Sequence, residues 1–236
     1  MADHFPLRVL CLLLCLLGLP LSGAAATPQR IISLTPHLTE LLYDIGAGDR
    51  IVATDDASDF PPEVAPLPRV ANYRSINLEA LLAQKPDLVV AWRSAQSRML
   101  APVEKLGIPV FYSEPTDFAS LATEMRSLGR LLGTQQKADQ QADAYLARLD
   151  ALKQRYGKPK PVSVFYQLWY PPLTSVNDST WPGHAIRLCG GRNIMADASS
   201  PYPQVGLEQV IKANPVLILA GSRDPAVLAH WRQWSM

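Results

Sequence analysis

Two segments of this chain, 129 residues apart, align without a gap: Asn77-Leu-Glu-Ala-Leu-Leu-Ala-Gln-Lys-Pro-Asp-Leu-Val-Val-Ala91 and Gly206-Leu-Glu-Gln-Val-Ile-Lys-Ala-Asn-Pro-Val-Leu-Ile-Leu-Ala220. Leu, Glu, Pro, Leu and Ala are identical at matching positions, and the apolar pattern between them agrees. A recurring helix, Pro-containing turn and buried strand implies two lobes of similar build, although that unit is common in its own right. Between the copies, Thr134 to Tyr156 has neither Pro nor Gly and carries Ala138, Ala142, Tyr145, Leu149 and Leu152 on one stripe. As a single helix it spans about 34 Å at ~1.5 Å per residue. So narrow a stripe rests on other structure along one side only. Gly157-Lys158-Pro159-Lys160-Pro161 ends it.

Around this strut, short apolar runs alternate with helical periods. Strands are expected at Ile31 to Leu34, Ile51 to Thr54, Leu88 to Ala91 and Val110 to Tyr112. Helices are expected at His37 to Ile45, Leu78 to Gln84, Ala95 to Leu106 and Phe118 to Leu132, and a second set of runs opens at Val162 to Leu168. Such alternation specifies mostly parallel sheets covered by helices. The expected fold is therefore α/β: two Rossmann-like lobes, 27–133 and 158–236, joined by one long backbone helix, 134–157. After Trp92 the first lobe continues through a helix to the strand at Val110, whereas after Gly221 the second has Pro225 to Trp234 and then stops at Met236. A fourth strand belongs there by the repeat, so the second lobe is expected to be incomplete at its C terminus.

Residues 1–26 read as an export signal. Arg8 precedes an apolar run of 11 residues, Val9 to Leu19, Pro20 breaks it, and Ala24-Ala25-Ala26 offers small residues for cleavage before Thr27. A spanning helix needs about 20 residues, and a lipoprotein at Cys15 would place bulky Leu14 before the modified cysteine. Export removes Cys11 and Cys15 and leaves Cys189 alone in a compartment where disulfides form. Cys189 is then either a buried small hydrophobe or half of a disulfide whose partner lies outside this sequence. With 22 Lys plus Arg against 21 Asp plus Glu, the net charge of +1 gives no footprint for nucleic acid or an anionic membrane surface.

Catalytic signatures are thin: there is no G-x-S-x-G elbow, phosphate loop, H-E-x-x-H or C-x-x-C. His37, His184 and His230 lack local metal-ligand spacing, and His37 on its own reads as an exposed first-turn residue. Aromatic residues say more. Ligands of open α/β lobes sit beyond the carboxyl ends of strands, where Trp92, Tyr112, Trp169 and Tyr170 fall; Tyr112 reads as core. Tyr73 and Tyr202 occupy loops just before the two repeated helices. Rigid aromatics in matching places suit a flat, bulky, partly apolar ligand between lobes, or each simply caps a core. Glu79 and Glu208 are the repeated carboxylates. A first-turn Glu gains about 0.3 to 1 kcal/mol from the helix dipole, and one on top of each lobe also forms a two-point dock for a basic partner.

Ser33-Leu-Thr-Pro-His-Leu-Thr-Glu-Leu-Leu42, Ser58-Asp-Phe-Pro-Pro62, Asn77-Leu-Glu79, Lys85-Pro-Asp-Leu-Val-Val-Ala-Trp-Arg93, Leu106-Gly-Ile-Pro-Val110, Cys189-Gly-Gly-Arg-Asn-Ile194 and Pro201-Tyr-Pro-Gln-Val205 together give the chain a family likeness. It resembles the cobalamin-binding branch of the helical-backbone (class III) periplasmic solute-binding proteins of bacterial ABC importers, from about Arg30 onward. The resemblance implies a monomer that holds a corrinoid between its lobes without chemistry, no resident cofactor or metal, and limited hinge motion. It implies ligand contacts at Pro36, His37, Tyr73, Trp92 and Tyr202, with Trp169 and Tyr170 corresponding in place more than in letters. It further implies docking of Glu79 and Glu208 onto arginines of the membrane permease, and pairing of Cys189 with a cysteine in a final helix. Tyr73 and Tyr202 stand where such proteins often have Trp. The rival ligands on this scaffold are haem and a ferric siderophore, the latter favoured by Arg69, Arg74 and Arg93. A more distant reading, a secreted metal-dependent hydrolase, requires His37, Asp55, Asp56 and His184 to converge.

Overall fold

Pairs of adjacent buried residues on short strands decide the first lobe, because neighbouring side chains on a strand face opposite ways and a parallel sheet is covered on both sides. The computed structural model describes residues 26–157, 160–222, 225–232 and 234; the export signal read at residues 1–26 lies outside them except for its last residue, Ala26. The first lobe runs β1 (Ile31–Ser33), α1 (Pro36–Asp44), β2 (Ile51–Asp55), β3 (Arg69–Ala71), α2 (Leu78–Ala83), β4 (Leu88–Trp92), α3 (Arg93–Lys105), β5 (Val110–Ser113) and α4 (Phe118–Leu132). Its five strands are parallel in the order β3-β2-β1-β4-β5. Ile31 and Val90 pack on one side with Leu38, Leu42, Leu128 and Leu132, while Ile32 and Val89 pack on the other with Leu81, Leu100 and Val103.

The strut forms as one helix, α5 (Gln135–Tyr156), 22 residues long. Ala138 and Ala142 are fully buried and Tyr145 and Leu146 pack beside them. Helix α4 ends at Gly133 in the left-handed region (φ 67°), which turns the chain back on itself. A Cβ at Gly129 would overlap the Ala138 Cβ, so α4 and α5 meet with no side chain between them. The N-terminal half of the strut thus belongs to the first lobe's core.

The second lobe runs β6 (Val162–Gln167), α6 (Trp181–Leu188), β7 (Gly191–Asn193), α7 (Leu207–Ala213), β8 (Leu217–Ala220) and α8 (Pro225–Arg232). Among the described residues its sheet has three parallel strands, β7-β6-β8, with β8 at an edge. Phe165, Leu173, Met195, Val210 and Trp231 form its core. The duplicated corner recurs in backbone detail: Lys85 and Asn214, equivalent by the repeat and each followed by Pro, both adopt left-handed φ (48° and 42°). Asn tolerates that conformation and Lys bears its strain. At the strand ends the copies diverge, Trp92 in the first lobe standing opposite Gly221 in the second.

Three elements differ from the sequence expectation. β3 and β7 are only three residues long, with one polar residue in β3 and two in β7, too short for a period to register. The third, α6, was not among the helices expected; Pro182 sits in its first turn, and Gly183 is required because a Cβ would strike the Asn177 carbonyl.

Candidate functional site

The carboxyl ends of β1, β4 and β5 set the first wall of the site. β1 runs into Thr35 and Pro36, whose fixed φ starts α1 and leaves His37 in the first turn. Under it, a buried hydroxyl chain ties α1 to the sheet: Thr39 Oγ1 donates to Ser33 Oγ (2.8 Å) and lies 2.9 Å from Ser58 Oγ, which donates to Asp55. His37 is half-buried, which corrects the exposed first-turn expectation. Burial lowers its pKa below the ordinary imidazole value, partly opposed by the Asp55 carboxylate.

From β4, Trp92 approaches His37 edge-on, ring centroids 5.7 Å apart at 78°. Two carboxylates link the pair. Glu114 accepts from the Trp92 indole N–H (3.3 Å) and the Ser94 amide (2.7 Å), and its own amide donates to Glu124 (2.8 Å). Glu124 accepts from the Ser113 hydroxyl (2.6 Å), whose oxygen lies 3.3 Å from His37 Nε2. Such charge-assisted bonds hold both rings in place before any ligand arrives.

The opposite wall comes from the second lobe. The Thr180 hydroxyl accepts from the Gly183 amide and caps α6, so Trp181 occupies that helix's first position. His37, Trp92, Pro115, Leu121 and Trp181 line a cavity of about 320 Å³. At its edge the lobes touch: Trp181 meets Phe118 at 5.2 Å, and His184 Nε2 donates to the Thr116 carbonyl (3.0 Å) while its Nδ1 accepts from Arg187.

Of the residues expected at the site, His37 and Trp92 line this cavity, and Pro36 adjoins it as the first residue of α1. Tyr73, Trp169, Tyr170 and Tyr202 do not line the cavity; their rings are solvent-exposed, Tyr73 at 82%. Trp169 and Tyr202 share one rim of the second lobe, because Thr174 bridges both Trp169 and Gln204. Tyr112 is half-buried against the first core, as expected, with the Arg93 guanidinium 4.9 Å over its ring. Glu79 and Glu208 are exposed in the first turns of α2 and α7. Cys189 caps the end of α6 as an exposed free thiol, which corrects the buried-hydrophobe reading; no disulfide involves it among the described residues. The hydrolase quartet does not assemble, since Asp55 is bonded to Ser58 and Ala57 whereas His184 is engaged at the lobe seam. No group of three or more His, Cys, Asp or Glu among the described residues is placed to hold a metal ion. Sequence reasoning missed Trp181, Glu114 and Glu124. The signal for Trp181 was present: Thr180-Trp-Pro opens the second lobe's first helix much as Thr35-Pro36 opens the first.

A family model described as "Periplasmic binding protein" matches residues 31–233. A vitamin B12-binding protein of Vibrio campbellii is 37% identical over 226 residues, covering 95% of this chain and 82% of that protein. The crystal structure of the periplasmic vitamin B12 binding protein BtuF of Vibrio cholerae superposes with a TM-score of 0.78 at 37% identity, covering 88% of this chain and 82% of BtuF. The periplasmic haem binding protein HutB of Vibrio cholerae shares the fold, with a TM-score of 0.77 at 24% identity over 87% of this chain and 82% of HutB.

Proposed function

This chain belongs to the periplasmic binding protein family, and on that premise we propose that it captures a corrinoid between its lobes and delivers it, chemically unchanged, to an ABC permease. The observation that carries the reading is the interlobe cavity, whose two faces present Trp92 and Trp181 from different lobes. Facing aromatic walls take up a flat, partly apolar guest with little ordering cost. At about 320 Å³ the cavity seats only part of such a guest. Pro36, Tyr73, Trp169, Tyr170 and Tyr202 supply the contacts beyond it. The lobes are assigned to residues 27–133 and 158–236, joined by 134–157, after an export signal at 1–26 that directs a monomer to the periplasm.

Absorbance titration of the purified protein with cyanocobalamin, haemin and a ferric siderophore separates the ligand classes. Saturable binding of cyanocobalamin in preference to the other two is expected; preference for haemin or siderophore would transfer the function to that ligand. Glu79 and Glu208 are proposed to dock the permease, one carboxylate on each lobe. Charge reversal of both, Glu79→Lys with Glu208→Lys, is expected to leave corrinoid affinity intact and reduce uptake by reconstituted transporter at least about ten-fold, a coupling of roughly 1.4 kcal/mol. A loss of affinity in that variant would place these residues at the ligand instead.

A further inference from the structure

We infer that His37 is an axial ligand, its Nδ1 taking the exchangeable coordination position on the metal of the captured guest. This rests on the corrinoid reading and deepens it, because it selects among corrinoids by their upper ligand.

The argument begins with one proton. Ser113 has a single hydroxyl hydrogen, and the short bond to Glu124 (2.6 Å) claims it, since a carboxylate is the stronger acceptor. The Ser113 oxygen can then only accept from His37, 3.3 Å away. Nε2 is therefore the protonated nitrogen and Nδ1 carries the lone pair. Among the described residues Nδ1 has no hydrogen-bond partner. The ring lines the interlobe cavity, and burial disfavours its charged form. A neutral imidazole whose far N–H is tethered to a carboxylate relay is the arrangement by which proteins orient histidine toward a metal and raise its basicity. Trp92, edge-on at 5.7 Å, restricts the ring's rotation.

The step balances without redox chemistry. The Nδ1 lone pair forms a bond to cobalt(III), the cobalt–oxygen bond to a coordinated water breaks, and water leaves with its own electron pair. Nε2 keeps its proton. Cyanide, a far stronger ligand, stays on cobalt, so cyanocobalamin binds through the walls alone.

The test titrates aquocobalamin and cyanocobalamin separately, reading tryptophan fluorescence for binding and the visible corrinoid bands for coordination. With the wild type, both are expected to quench fluorescence, the aquocobalamin bands alone to shift, and aquocobalamin to bind about ten-fold more tightly. In His37→Gln, which keeps a polar side chain of similar reach, the band shift is expected to vanish and the preference to fall to about one. Quenching by both corrinoids with unshifted aquocobalamin bands in the wild type would overturn the axial ligand and leave the corrinoid reading standing, as would a shift that persists in His37→Gln. Absence of quenching by either corrinoid would overturn the corrinoid reading itself.

Discussion

Replacing Trp92 with Ala is expected to weaken corrinoid binding about 30- to 150-fold. The residue is 39% exposed, its indole N–H is held by Glu114, and it lines the cavity together with Trp181. Truncating a central, preorganised aromatic anchor typically costs about 2 to 3 kcal/mol. Trp181→Ala belongs in the same range, because it removes the other wall. Trp92→Phe keeps a ring and loses only the indole hydrogen bond, so it should cost no more than about five-fold, a fraction of the loss expected for an anchor. Isothermal titration with cyanocobalamin checks all three variants. Less than a three-fold change in Kd for both Ala variants would move the ligand out of this cavity.

A second large effect concerns the strut. Gly129→Ala is expected to destabilise the protein by about 2 kcal/mol in urea unfolding, and Gly129→Val by more, as overpacking between helices does. Two effects compete. In an exposed helix interior, Gly→Ala stabilises by up to about 1 kcal/mol through backbone entropy. Here the added Cβ would overlap the Ala138 Cβ, and Ala138 is fully buried on a helix that cannot retreat without uncovering Ala142. The clash wins. Ala138→Gly in the Gly129→Ala background should recover more than half of the loss, an interaction that a double-mutant cycle isolates. A stabilised Gly129→Ala would show that α4 and α5 are held apart in solution.

Much of the architecture was legible because it rests on period and repetition. The copies at Asn77 and Gly206 fold alike down to the left-handed corner at Lys85 and Asn214, and the Pro-free stretch forms one helix within a residue of its expected bounds. Both lobes carry α/β parallel sheets. What the letters withheld depends on long-range contact. β3 and β7 are strands only because a neighbour pairs with them. His37 looked exposed because a first-turn position says nothing about Ser113, which is brought beside it from 76 residues away. Cys189 looked buried by residue type, yet the end of α6 leaves it in solvent. Trp181 was passed over because its helix is short and opens on Pro182 and Gly183, where one residue starts the helix and the other lets it touch Asn177. Glu114 and Glu124 act through bonds to side chains on other elements, and no spacing rule encodes those.

One asymmetry follows from the divergent strand ends. At the position where the first lobe projects Trp92, the second has Gly221, and a Cβ there would lie 3.0 Å from the Tyr166 hydroxyl. The scaffold is doubled but its furniture is not. The matching strand ends therefore differ, an indole on one lobe and bare backbone on the other, so the two lobes are not interchangeable faces for a guest with unlike sides. Duplication supplied the vise; breaking it at a single place gave the jaws a front and a back.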